Sequence, residues 1–242
     1  MSKRQEIRER RRREQIRNRI IVILLVVAGA LLVTFALVLP SLNNARTAAS
    51  ATPVPVITIT PRVFNTKVDG VHLGDPNAPV KLVAYEDFRC SACFFYSQNI
   101  EPTIIQNYVE TGKVYYTYAV HIVIDQNDGT DASYRSANAA LCASEQNHFW
   151  DYHDTLYANQ TSESASLFTD ARLVTMAQNL GLDMTAFNQC YQAKKYANDI
   201  QKDEASGQSL NVQGTPSIFI DGVYVQDFQQ TIQSIDAALA GK

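Results

Sequence analysis

The sequence is short of the residues that hold metals. Four cysteines and four histidines are spread over 242 residues. A structural zinc site needs four ligands, normally two C-x-x-C pairs or one such pair with two closely spaced histidines. Here Cys90 and Cys93 form a single pair, Cys142 and Cys190 stand far apart, and His72, His121, His148 and His153 supply no second pair at ligand spacing. Structural zinc is therefore excluded as the reason for Cys90-Ser91-Ala92-Cys93, and no internal repeat or metal-binding tract is present. Charge is missing too, from Ile20 to Leu39 (IIVILLVVAGALLVTFALVL). A helix over that run is roughly 30 Å long, the thickness of a bilayer's hydrocarbon core, and it has no polar stripe for a solvent face.

The charge that is present is unevenly divided. Residues 1–19 hold nine Lys/Arg against three Glu, whereas the whole chain carries 21 Lys/Arg and 24 Asp/Glu, so everything after residue 19 is acidic. A basic segment directly before an apolar span stays cytoplasmic, which makes 1–19 a cytoplasmic segment and 20–40 a single transmembrane helix with the rest outside. Ala49-Ser50-Ala51 has the small-residue pattern of a cleavage site, but the apolar run exceeds a signal peptide's core, so an uncleaved signal anchor at the cell membrane is expected. The acidic exterior argues against nucleic acid as a partner. Outside the cytosol disulfides persist.

Residues 41–68, rich in Ser, Thr, Ala and Pro, read as a linker, and 69–242 as the folded domain. Val80 to Tyr85 is a short apolar run after a proline-bounded turn, as in a strand buried on both faces. FFYSQNIEPTIIQNYVETG follows the cysteine pair as a helix or two ending near Gly112, and VYYTYAVHIVI (114–124) reads as a second strand. Residues from about 131 to 206 carry only helical signals and form an insert. Asp221-Gly222 between Ser217–Ile220 and Val223–Gln226 predicts a hairpin, and an amphipathic helix closes the chain. The order is βαβ, helical insert, ββα, an α/β fold.

A disulfide between Cys90 and Cys93 closes too small a loop to restrain the chain much. A redox role fits the position. A cysteine where a helix starts after a buried strand meets free N–H groups and the positive end of the helix dipole, which favour thiolate. Cys90 is then the nucleophile, and Cys93, one turn on, resolves the mixed disulfide. Gly214-Thr215-Pro216 stands just before a strand, where a proline marks a bend. On sequence grounds it is an ordinary loop proline, cis bonds being uncommon.

YEDFRCSAC after a strand, ALCASEQNHFWDYHDTLYANQ in the insert and NVQGTPSIFIDG before the last hairpin together resemble the DsbA-like thioredoxin-fold oxidoreductases, specifically membrane-tethered bacterial ones. The resemblance spans roughly residues 70–242. It implies a thioredoxin fold with an inserted helical subdomain and a Cys90–Cys93 redox centre. It also makes Pro216 a cis-proline beside that centre, and Thr215 a presenter of backbone groups to an extended substrate. It implies no dissociable cofactor, reduced exported proteins as substrates, and a membrane redox partner of the quinone-linked oxidase type. A reductase or isomerase, or a non-catalytic binding module of a membrane assembly, are the alternatives. The chain departs from the pattern at Ala84, where related enzymes carry a buried acid, six residues before the first cysteine, that assists proton transfer. Glu86 and Asp87 are nearer, and read as solvated loop acids rather than as its replacement. Cys142 and Cys190, left over in one subdomain outside the cytosol, suggest a structural disulfide, and related proteins include members with one there. Phe149, Trp150, Tyr152 and Tyr157 read as packing residues of the insert, and His148 and His153 as polar groups on helix surfaces.

Overall fold

The computed structural model describes residues 55–242. The basic segment 1–19, the apolar span 20–40 and the first part of the linker lie outside the described residues; among the described residues no helix is long and apolar enough to cross a membrane. The sheet is built on β3 (Val80–Glu86) and β4 (Val114–Val120), which run parallel and pair from Val80 opposite Val114 to Glu86 opposite Val120. Between them come α1 (Ser91–Asn99) and α2 (Glu101–Ile104), the latter continuing as a wider turn through Val109. Pro102 sits in the first turn of α2, where its missing N–H costs nothing, and it makes the break between the two helices. This is the βαβ unit expected from the sequence.

β5 (Ser217–Ile220) lies antiparallel against the other side of β3, and β6 (Val223–Tyr224) returns from it. Asp221 and Gly222 turn the chain with φ of 48° and 81°, the left-handed pair a two-residue hairpin needs. An edge hairpin, β1 (Val68–Asp69) with β2 (His72–Leu73), pairs with β4 and completes the order β1-β2-β4-β3-β5-β6. Asp69 pairs with His72, so the turn is Gly70-Val71, with Gly70 at φ 57°. α9 (Thr231–Ala240) closes the chain.

The run read as a strand to residue 124 leaves the sheet at Val120. The N–H groups of Val123 and Ile124 both donate to Asp87 Oδ2 at 3.0 Å and open a short helix, α3 (Ile124–Asp128). The carboxylate caps those orphan amides, and capping overrides the β-propensity of the run. The insert follows as α4 (Ala132–Ser144), α5 (Phe149–Ala158), α6 (Asp170–Asn179), α7 (Met184–Gln192) and α8 (Ala197–Ser209). Cys142 on α4 and Cys190 on α7 are joined by a disulfide with Cα atoms 5.8 Å apart. Phe149, Trp150, Tyr152 and Tyr157 are all buried. Trp150 meets Tyr116 of β4 edge to face at 5.6 Å, so the insert and the sheet share one core.

The linker is shorter than the sequence suggested. The Ile57 N–H donates to Asn159 Oδ1 (2.8 Å), Phe64 packs edge to face on Trp150 (6.2 Å), and Arg62 pairs with Glu101 (2.9 Å) and Asp154. The described part of 41–68 is thus laid against the insert, because its few large side chains have partners there. Among the described residues, Arg62 is the only Lys or Arg paired with the fully buried Glu101. Arg62→Ala is expected to destabilise the protein by about 2 kcal/mol, a partly exposed version of breaking a buried pair. Urea unfolding checks this, and a change within a few tenths would contradict it.

Candidate active site

β3 delivers the chain to the site, and every residue of the stretch Tyr85–Cys90 is buried. Cys90 is the N-cap of α1, with extended backbone (φ −71°, ψ 124°). An N-cap side chain reaches the amides two and three residues on. Here the atom is sulfur; it makes no capping hydrogen bond, but the Ala92 and Cys93 amides lie close enough to favour its thiolate. The Cys90 thiol is pulled down to about 6. A hydrogen bond from the Cys93 thiol contributes most, joined by the Thr215 hydroxyl and the two helix amides, against burial, which opposes the shift.

Thr215 and Pro216 come to the sulfur from before β5, and the Thr215–Pro216 bond is cis, as the resemblance implied and base rates did not. The Cys90 thiol donates to the Thr215 carbonyl oxygen (3.2 Å). The buried Thr215 hydroxyl has no partner while Cys90 is a thiol. Once the proton leaves, the sulfur becomes an acceptor and the hydroxyl has a use. Cys90 and Cys93 are both free thiols, and Cys93 is wholly buried. Burial pushes Cys93 up, as do its hydrogen bond to Cys90 and the nearby Glu86 carboxylate. Two thiols one helical turn apart thus have opposite acidities.

Glu86 and Asp87 are not solvated loop acids: they are 0% and 2% exposed. Glu86 follows Ala84 on the same face of β3, two residues on, so the strand's period of two keeps an acid on the core side. Its carboxylate accepts from the Tyr157 (2.9 Å) and Tyr116 (3.4 Å) hydroxyls. Burial, then the neighbouring Glu101 carboxylate, raises it well above the usual carboxylate range. Asp87 instead caps α3 and accepts the Arg89 N–H (2.9 Å). His153, read as a surface group, is wholly buried as well, whereas His148 remains at the surface paired with Asp151 (2.7 Å).

Two side chains with no signal in the sequence complete the site. Arg89, 1% exposed, pairs with Asp125 (2.7 Å) and Asp128 (2.5 Å) of α3, tying the cysteine loop to the insert. Glu163, exposed on a loop of the insert, accepts from the Ser91 N–H (3.2 Å) and hydroxyl (2.8 Å) at the first turn of α1. It takes up an amide that would otherwise help hold negative charge at Cys90, and adds a negative charge of its own. Glu163→Gln is expected to lower the Cys90 titration midpoint by about half a pH unit, read from thiolate absorbance. An unchanged or higher midpoint would contradict this.

A pH dependence also follows. Cys90 titrates near 6 in the folded, reduced protein and near 9.0 as an ordinary thiol. The unfolded chain therefore binds more protons between those values, and reduced-state stability rises with pH there by at most about 1.4 kcal/mol per unit. The contribution is complete above the unfolded value and is lost as pH falls through about 6. Cys93, titrating higher when folded, acts only above that window. Denaturation of reduced and oxidised protein across it should show the gap between them shift in favour of the reduced form as pH rises; a gap independent of pH would contradict the assignment.

The geometry has known counterparts. The thioredoxin family model matches residues 65–240. Probable disulfide bond formation protein D of Bacillus anthracis is 28% identical over 170 residues, covering 69% of this chain and 77% of that protein. Disulfide bond formation protein D of Bacillus subtilis is 23% identical over 174 residues, covering 70% and 77%. Among solved structures, oxidised BdbD of Bacillus subtilis shares the fold with a TM-score of 0.64 at 22% identity, over 73% of this chain and 97% of that one. DsbA1 of Wolbachia pipientis does so at 0.61 and 22%, over 71% and 91%. The chain belongs to the thioredoxin family and is a DsbA-like thiol-disulfide oxidoreductase.

Proposed function

We propose that this protein is a membrane-anchored, extracytoplasmic oxidase that passes a Cys90–Cys93 disulfide to reduced cysteine pairs in exported proteins. The carrying observation is the lowered Cys90 thiol beside a raised, buried Cys93. A thiolate-stabilising site favours the reduced form of the protein, and so makes its disulfide an oxidant. A Cys90 value near 6 falls between about 7 for thioredoxin and about 3.5 for DsbA, which ranks this centre between them. The dipeptide Ser91-Ala92 has no basic group, and the ranking comes from the helix amides, Cys93 and Thr215 instead.

In the forward reaction a substrate thiolate attacks Cys90 Sγ, the Cys90–Cys93 bond breaks, and Cys93 leaves with the bonding electron pair. A second substrate thiol then attacks the mixed disulfide and departs as an oxidised pair, leaving both enzyme cysteines reduced. Thr215 and the cis-Pro216 loop would hold an extended substrate strand by its backbone, and Phe94 and Phe95, 37% and 44% exposed, offer apolar contact beside the cysteines. Chemistry carried by the cysteines needs no dissociable cofactor. Reoxidation falls to a membrane redox partner of the quinone-linked oxidase type. The Cys142–Cys190 bridge supports an oxidising compartment, and the basic segment 1–19 followed by the apolar span 20–40 supports anchoring with the domain outside.

Equilibration with glutathione tests the direction of electron flow. A potential between about −270 and −120 mV is expected, and one at or below about −270 mV would make the protein a reductase. Cys93→Ala should accumulate mixed disulfides at Cys90 in cells, and their partners should be exported proteins. Unimpaired oxidation of a reduced test protein by Cys90→Ser would instead make the domain a binding module.

A further inference from the structure

Glu86 of β3, Glu101 at the start of α2 and His153 of α5 are each 0% exposed, and one oxygen or nitrogen atom of each lies within 4.8 Å of the others. His153 Nε2 stands 3.5 Å from Glu101 Oε2, and neither atom has a hydrogen-bond partner. Leaving such atoms unpaired in a core costs about 1–3 kcal/mol each, so their persistence calls for a use. On the other side of the same ring, His153 Nδ1 meets Asp154 Oδ1 at 2.9 Å. Asp154 is bound in turn to Arg62 Nη2 (2.6 Å), and these two side chains are 16% and 30% exposed. The row therefore runs from the core to solvent. At its inner end Glu86 lies near enough to Cys93 to raise it, and Cys90 and the phenols of Tyr96, Tyr116, Tyr118 and Tyr157 are its other titratable neighbours.

Glu86 takes the place of the buried acid of related enzymes beside Cys93, and we propose that Glu101, His153 and Asp154 form the proton path from it to solvent. The proposal rests on the oxidoreductase reading and adds to it the route by which the buried sulfur exchanges its proton. When the Cys90–Cys93 bond breaks, Cys93 Sγ takes the bonding electrons and a proton from Glu86. Glu86 regains a proton through Glu101 from His153 Nε2, while His153 takes one at Nδ1 from the Asp154 side and is left as the opposite neutral tautomer until reoxidation restores it. Reoxidation runs the same protons outward. Arg62 already bonds both Glu101 and Asp154, which leaves the gap between Glu101 and His153 suited to a proton rather than to a further cation.

The test is stopped-flow reduction of the oxidised full-length protein by dithiothreitol and its reoxidation by glutathione disulfide, from about pH 5 to 9. His153→Gln, which cannot pass a proton through a ring, should slow both about tenfold and flatten the pH profile, and Glu86→Gln should slow them at least as much. Cys90 thiolate titration should stay in place in His153→Gln. Unaltered rates and profiles in both variants would overturn the path while leaving the oxidoreductase intact, whereas an inactive unmodified protein would overturn the function itself. If the variants do not fold, infrared redox-difference spectra of the unmodified protein decide: a buried carboxyl band should change between oxidised and reduced forms, and its absence would overturn the path. One tightly held divalent metal per protein, lost in His153→Gln, would overturn it too.

Discussion

The site depends on one turn of helix. Because Cys90 occupies the capping position of α1, its sulfur lies beside the amides of the first turn, which favour its thiolate, and Cys93 is carried three residues on into the core. A difference of one turn gives one sulfur donors and the other a carboxylate neighbour. Placing the capping residue requires the strand before it to end in the interior, and β3 does so because Glu86 and Asp87 find partners there: phenols for the first, amides of α3 for the second. The cis-Pro216 loop then closes on the sulfur from the neighbouring strand, a position set by the pairing of β5 with β3.

The helical insert takes part in the site. It supplies Glu163 at the start of α1, His153 and Asp154 beside the buried carboxylates, and Tyr157 to Glu86, while α3 holds Arg89 just before the cysteines. The Cys142–Cys190 bridge ties α4 to α7 and closes a loop that on chain-entropy grounds contributes about 4 kcal/mol, so the subdomain has its own brace. Residues 57–64 lie across the same face and add Arg62. Redox chemistry at Cys90 is thereby coupled to packing contributed from well outside the βαβ unit.

Much of this frame was legible in the sequence, because it rests on local signals. A strand-like run before C-x-x-C, Gly112 at a helix end and Asp221-Gly222 between two short runs each specify their conformation nearby. The edge hairpin at 68–73 is not legible, since strands of two residues leave no alternation to detect and its turn is Gly70-Val71 rather than the Asp-Gly pair that marks 221–222. The end of β4 was misplaced because Asp87, a distant residue, takes the amides of Val123 and Ile124. Glu86 and His153 were misread for one shared reason: whether a polar group is solvated depends on what packs over it, and here each covers the other from far along the chain. Glu163 sits in a serine-rich loop with nothing to mark it until the fold brings it to Ser91.

The unequal acidity of the two sulfurs is tested most directly by titrating Cys90 in the reduced protein, with and without Cys93, by following thiolate absorbance. In the unmodified protein a midpoint near 6 is expected, moving upward in Cys93→Ala as the hydrogen bond that contributes most is removed. A midpoint near the ordinary thiol value in the unmodified protein would contradict the assignment of Cys90 as the stabilised thiolate.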